Sequence, residues 1–126
     1  MIDIISTDKA PKAIGPYNQA TLHGQTLYVS GQIAINPETN IWEGGDVEAQ
    51  THRVLKNLRA VLEAGGASME TVLHCTIFVR DMADYPKIND IYATYFSAER
   101  APARALVEVS GLPKDARIEM TAVAAV

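Results

Sequence analysis

The sequence predicts an α+β fold in one domain, residues 1–126, with a mixed β-sheet carrying two helices on one face. Strand-like and helical segments alternate along the chain, only two segments repeat apolar residues at helical spacing, and the last strand has one wholly apolar phase. With 126 residues, 48% of them hydrophobic and 21% charged, the chain can form one compact core but not two ordinary domains.

Each element has its own signal. "IDIIS", "NQATLHG" and "TLYVSGQIAI" read as short strands, with His23-Gly24-Gln25 a tight connection between the second and third. "NPETNIWEGG" reads as a turn-rich loop opened by Asn36-Pro37. From Asp46 to Ala64, Val47, Val54, Leu55, Leu58, Val61 and Leu62 recur at helical spacing, with Asp46 as N-cap and Gly65-Gly66 as the stop. "VLHCTIFVR" follows as a strand, with Leu73, Cys75, Ile77 and Val79 in one apolar phase. A second helix begins near Asp81 or Asp84 and carries Tyr85, Ile88, Tyr92, Tyr95 and Phe96 on one stripe, read as core. "ALVEVS" and "RIEMTAVAAV" are the final strands, joined through residues 111–115.

In the last strand Ile118, Met120, Ala122, Ala124 and Val126 form the phase suited to a helix-covered core. Glu119, Thr121, Val123 and Ala125 form a half-apolar phase. Tyr28, Ser30 and Gln32, and Arg104, Leu106 and Glu108, are similarly mixed. Two helices cover one sheet face, so the other is expected to pack in a homo-oligomer with Arg104 and Glu119 near the contact.

Several function classes fit poorly. The net charge is −4 and no Lys/Arg cluster exists, which disfavours a nucleic-acid partner. No phosphate-binding glycine motif is present. His23, His52 and His74 share no ligand spacing, so no metal is expected. No window is apolar and long enough to span a bilayer and no basic leader opens the chain, so no membrane partner and a cytoplasmic location are expected. Cys75, the single cysteine, lies in an apolar phase without a basic neighbour in it and reads as a small hydrophobe.

Three residues carry candidate chemistry. Arg104 interrupts "PARALVEV"; it either pairs with Glu108 or Glu119, or offers a planar fork to a carboxylate. Glu119 is either a salt-bridge partner or a base that orients water. Tyr17, after the Gly15-Pro16 turn, is either a loop anchor or a lid over a small ligand.

"AIGPYNQA", "LYVSGQIAINPETN", "NDIYATYF" and "PARALVEVSGLPKDARIEMTAVA" resemble, in order and spacing, the reactive intermediate deaminase family (RidA, also YjgF), over nearly the whole chain. The resemblance implies a chorismate-mutase-like fold and a homotrimer with clefts between subunits. It also implies cofactor-free hydrolysis of 2-imino acids and their enamine tautomers, such as 2-aminoacrylate/2-iminopropanoate and 2-iminobutanoate, to 2-oxo acids and ammonia. Under it, Arg104 is the carboxylate ligand and Glu119 positions the attacking water. Tyr17, Ser30, Gly31 and Asn89 line the cleft. Leu106 stands where many members have cysteine, at a position whose backbone does the contacting.

Overall fold

The structure, a computed structural model, describes residues 1–126. Strands β1 (Asp3–Ile5), β2 (Ala20–His23) and β3 (Thr26–Gln32) form an antiparallel meander, followed by a small ribbon of β4 (Ile35–Asn36) and β5 (Ile41–Trp42). Helix α1 (Val47–Ala64), strand β6 (Val72–Val79), helix α2 (Tyr85–Tyr95), and strands β7 (Ala103–Glu108) and β8 (Ile118–Ala125) complete the chain. The main sheet has the order β1-β2-β3-β8-β6-β7. Only β6 and β7 are parallel, and α2 supplies the crossover that a parallel pair needs.

Local chemistry accounts for the boundaries. The Asp46 carboxylate accepts from the Ala49 N–H at 2.8 Å and caps α1. At the other end Gly66 adopts φ +87°, while Gly66 and Ala67 donate to the carbonyls of Glu63 and Leu62. These bonds satisfy the last turn of α1 in a left-handed stop. Between β2 and β3 the loop is Gly24-Gln25, and only Gly24 has positive φ, as a type II′ hairpin requires.

The core lies between the sheet and the two helices. Val54, Leu55, Leu58, Val61 and Leu62 of α1 and Ile88 of α2 are fully buried with Leu27, Ile77, Ile118 and Met120. Burying such a side chain contributes about 1.5–3 kcal/mol. The phase of β8 is as expected: residues 118, 120, 122 and 124 are buried while 119, 121, 123 and 125 are half-buried. The opposite face is open, with Tyr28 53% and Val107 43% exposed.

Four expectations change. The strand expected through Ile35 ends at Gln32; Ile35 instead opens the β4–β5 ribbon, the rest of which falls in the expected loop and is too short to carry a periodic signal. Leu73 is 53% exposed, because the β6–β8 ladder shifts register between Val72 and His74 and turns it outward. Val126 lies beyond β8 and is exposed. Most consequentially, Arg104 and Leu106 do not share the open face with Glu119. Arg104 registers with Cys75 and Leu106 with Ile77, both buried, which puts them on the helix side; Glu119 registers with Phe78 on the open side.

Candidate functional site

Glu119 sits on the open sheet face at the edge of a cavity of about 770 Å³, lined also by Tyr17, Ser30, Gly31 and Gln32, with Trp42 on the apolar wall. The β3–β8 ladder is irregular between Val29 and Gln32, the stretch holding Ser30 and Gly31. That irregularity lets the Glu119 carboxylate lie against the Gly31 backbone, where a Cβ would overlap it. Glu119 has no cation within ion-pair distance. Burial raises its pKa above the ordinary carboxylate value.

The cavity rim is fixed by short-range bonds. Ser30 Oγ donates to the Asn18 carbonyl at 2.5 Å, and its N–H donates to the Gln19 carbonyl. Tyr17 is half-exposed, turned by a bond from its N–H to the Gly15 carbonyl, with its hydroxyl 3.5 Å from the Ile14 N–H. It is therefore both a loop anchor and a wall of the cavity. Gln19, which the sequence did not single out, accepts from the Thr7 N–H and donates to the carbonyls of Thr7, Ala10 and Pro11. It clasps the segment that carries Pro11 and Lys12 to the rim; a lone glutamine at the start of a strand-like segment gives no pattern that reveals this.

Arg104 is seated elsewhere. Its Nη2 donates to the Tyr85 hydroxyl at 3.0 Å and to Asn89 Oδ1 at 2.7 Å, and its Cζ lies 4.7 Å from the Tyr92 ring centroid. It pairs with neither glutamate considered above: Glu108 accepts from the Met82 N–H, and Glu119 is on the other face. The guanidinium is thus a half-buried cation with no carboxylate partner. Both Nη2 hydrogens are engaged, so a two-pronged grip on a carboxylate requires the Tyr85 hydroxyl, on a residue 38% exposed, to yield. The stripe read as core is core only at Ile88, Tyr92 and Phe96; its Tyr85 and Tyr92 also hold Arg104.

The strand phase of Cys75 holds no basic residue, as expected, and although Arg104 of the neighbouring strand stands beside it, burial outweighs the Tyr92 hydroxyl and the Arg104 charge and pushes the thiol pKa up to about 11. Such a thiol is a poor nucleophile. No three His, Cys, Asp or Glu side chains converge as a metal would require, and no helix is long and apolar enough to cross a membrane. The site residues therefore form two groups. Tyr17, Ser30, Gly31 and Glu119 meet at the cavity; Asn89, Arg104 and Leu106 lie on the helix side of the edge strand β7.

Comparison with known proteins places the chain in a family. A family profile described as endoribonuclease L-PSP matches residues 7–126. A RutC family protein of Pyrococcus abyssi is 49% identical over 97% of this chain and 95% of its own. The chloroplastic Reactive Intermediate Deaminase A of Arabidopsis thaliana is 42% identical over 97% of this chain and 65% of its own. The crystal structure of E. coli TdcF with bound serine superposes with a TM-score of 0.92 at 37% identity, covering 98% of each chain. The fold is the chorismate-mutase-like α+β arrangement of these structures, and the chain belongs to the endoribonuclease L-PSP family, the reactive intermediate deaminase (RidA, YjgF) family that its motifs resemble.

Proposed function

We propose that the protein is a hydrolytic deaminase of small 2-imino acids and their enamine tautomers, 2-iminopropanoate and 2-iminobutanoate among them, working as a homotrimer with sites between subunits. The observation that carries this reading is the pair of unneutralised opposite charges: Arg104 without a carboxylate and Glu119 without a cation, held on opposite faces of one sheet. For both to act on one substrate Arg104 has to meet Glu119 through a neighbouring subunit, and the half-apolar open face is the surface available for that contact. The name of the Arabidopsis relative and the amino acid in the TdcF structure support a small amino-acid-derived ligand.

The chemistry needs positioning more than activation, because a protonated imine carbon is already electrophilic. Arg104 holds the substrate carboxylate. Glu119, its pKa raised by burial, takes a proton as water adds to the imine carbon, and returns it to the nitrogen as the C–N bond breaks. The iminium acid and water become the 2-oxo acid and ammonium. The cavity also has Trp42, Lys12 and Lys114 in its lining, an aromatic wall and two ammonium groups that suit the second carboxylate of a larger enamine acid such as 2-aminomuconate, the second reading. An RNA substrate fits less well, given the net charge of −4 and a carboxylate at the cavity.

Imines generated by an amino-acid oxidase or dehydratase across a range of side chains test the proposal. Their disappearance accelerates with the protein present, and Arg104→Ala abolishes the acceleration. Saturable binding of 2-oxobutyrate without any acceleration would overturn it in favour of a non-catalytic 2-oxo-acid-binding module.

A further inference from the structure

The seat of Arg104 comes from one stripe of α2. Tyr85, Asn89 and Tyr92 recur at helical spacing and all face β7. Every group in this seat is neutral: a phenol oxygen, an amide oxygen and an aromatic face. The nearby acid Asp84 is engaged by Arg117, at 2.7 Å, and so does not neutralise Arg104. A carboxylate in place of Asn89 would hold the guanidinium more firmly, but it would cancel the charge that an anionic ligand needs.

Tyr92 is the floor of this seat. It is buried, 5% exposed, and its hydroxyl lies near both the Cys75 thiol and the Arg104 guanidinium without a well-formed hydrogen bond to either. The contact of good geometry is with the ring, whose centroid lies 4.7 Å from the Arg104 Cζ. We propose that Tyr92 is a positioning residue of the deaminase, whose electron-rich ring face fixes the Arg104 guanidinium while leaving its full charge to the substrate carboxylate. This rests on the reading of Arg104 as the carboxylate ligand. An aromatic face attracts a cation through the ring's quadrupole, most strongly when water is excluded, so the effect scales with electron density in the ring.

The experiment varies that density at nearly constant shape. Tyr92→Phe is the reference, followed by 4-fluoro-, 3,5-difluoro- and 3,4,5-trifluorophenylalanine incorporated at position 92 of the full chain. Dissociation constants for 2-oxobutyrate, KM, kcat and Tm are measured for each. The proposal expects Kd and KM to rise stepwise, by about tenfold across the series, with kcat and Tm steady. Phe96→Leu, a change in the ring that stacks on Tyr92 at 4.6 Å, is expected to lower Tm and leave Kd unmoved. A flat Kd across the fluorinated series, with Arg104→Ala still abolishing binding, would reduce Tyr92 to core packing and overturn the proposal alone. An Arg104→Ala variant that binds 2-oxobutyrate as the parent does would instead overturn the carboxylate-ligand reading, and the proposal with it.

Discussion

Glu119 shows how one side chain can be costly to the fold and useful to the site. Its carboxyl is half-buried, faces no cation, and has a raised pKa because of burial. Its folded pKa lies above the unfolded value, so its contribution to stability is fully present below the unfolded pKa and is lost as pH rises through the folded one. Glu119→Gln should therefore raise Tm at neutral pH, with the gain shrinking as the medium is acidified below the ordinary carboxylate range. Turnover should fall by about 10²–10⁴-fold, the range for loss of a general base, with 2-oxobutyrate affinity nearly kept. Thermal melts from acid to neutral pH and steady-state rates check both parts; unchanged turnover would leave Glu119 a structural residue. The phase of Glu119 was legible because "RIEMTAVAAV" alternates cleanly. That of Arg104 was not, because "PARALVEV" mixes small and large residues in both phases and its facing is decided by register with β6.

At the level of elements, the irregular stretch of β3 is what admits the carboxylate. Gly31 is the only residue type that leaves room for Glu119 there. Gly31→Ala is expected to expel the carboxylate from its place, lowering kcat/KM by at least roughly tenfold with little loss of stability, because the atoms that must move are the end of the Glu119 side chain and not backbone. Activity assays and denaturant unfolding measure the two effects, and full activity in Gly31→Ala would show that Glu119 works from another position. The long elements were legible for physical reasons: α1 has an N-cap, a sustained apolar face and a glycine stop. The β4–β5 ribbon and the exposed Leu73 were not, since two-residue strands and register shifts leave no periodic trace. The role of Tyr85, Asn89 and Tyr92 was available in principle as a polar and aromatic stripe on the helix preceding a strand arginine.

For the molecule as a whole, the separation of Arg104 and Glu119 makes a sharp prediction about assembly. Arg104→Ala and Glu119→Gln chains are each expected to be inactive, yet unfolding and refolding them together in equal amounts should restore about a quarter of parental activity, since a random interface then pairs an intact arginine with an intact glutamate about one time in four. No recovery in a mixture shown by light scattering to be trimeric would put the two residues in separate functions. Topology has a further bearing on how the protein is made. Strand β8, the last in sequence, lies in the interior of the sheet between β3 and β6. Until β8 has left the ribosome the chain can pair only β1-β2-β3 on one side and β6-β7 on the other, each with an uncovered inner edge of hydrogen-bonding groups. The sheet is therefore completed by one long-range closure that joins residues near 30 to those near 120, and a nascent chain stalled before β8 exposes two strand edges to its neighbours on the polysome.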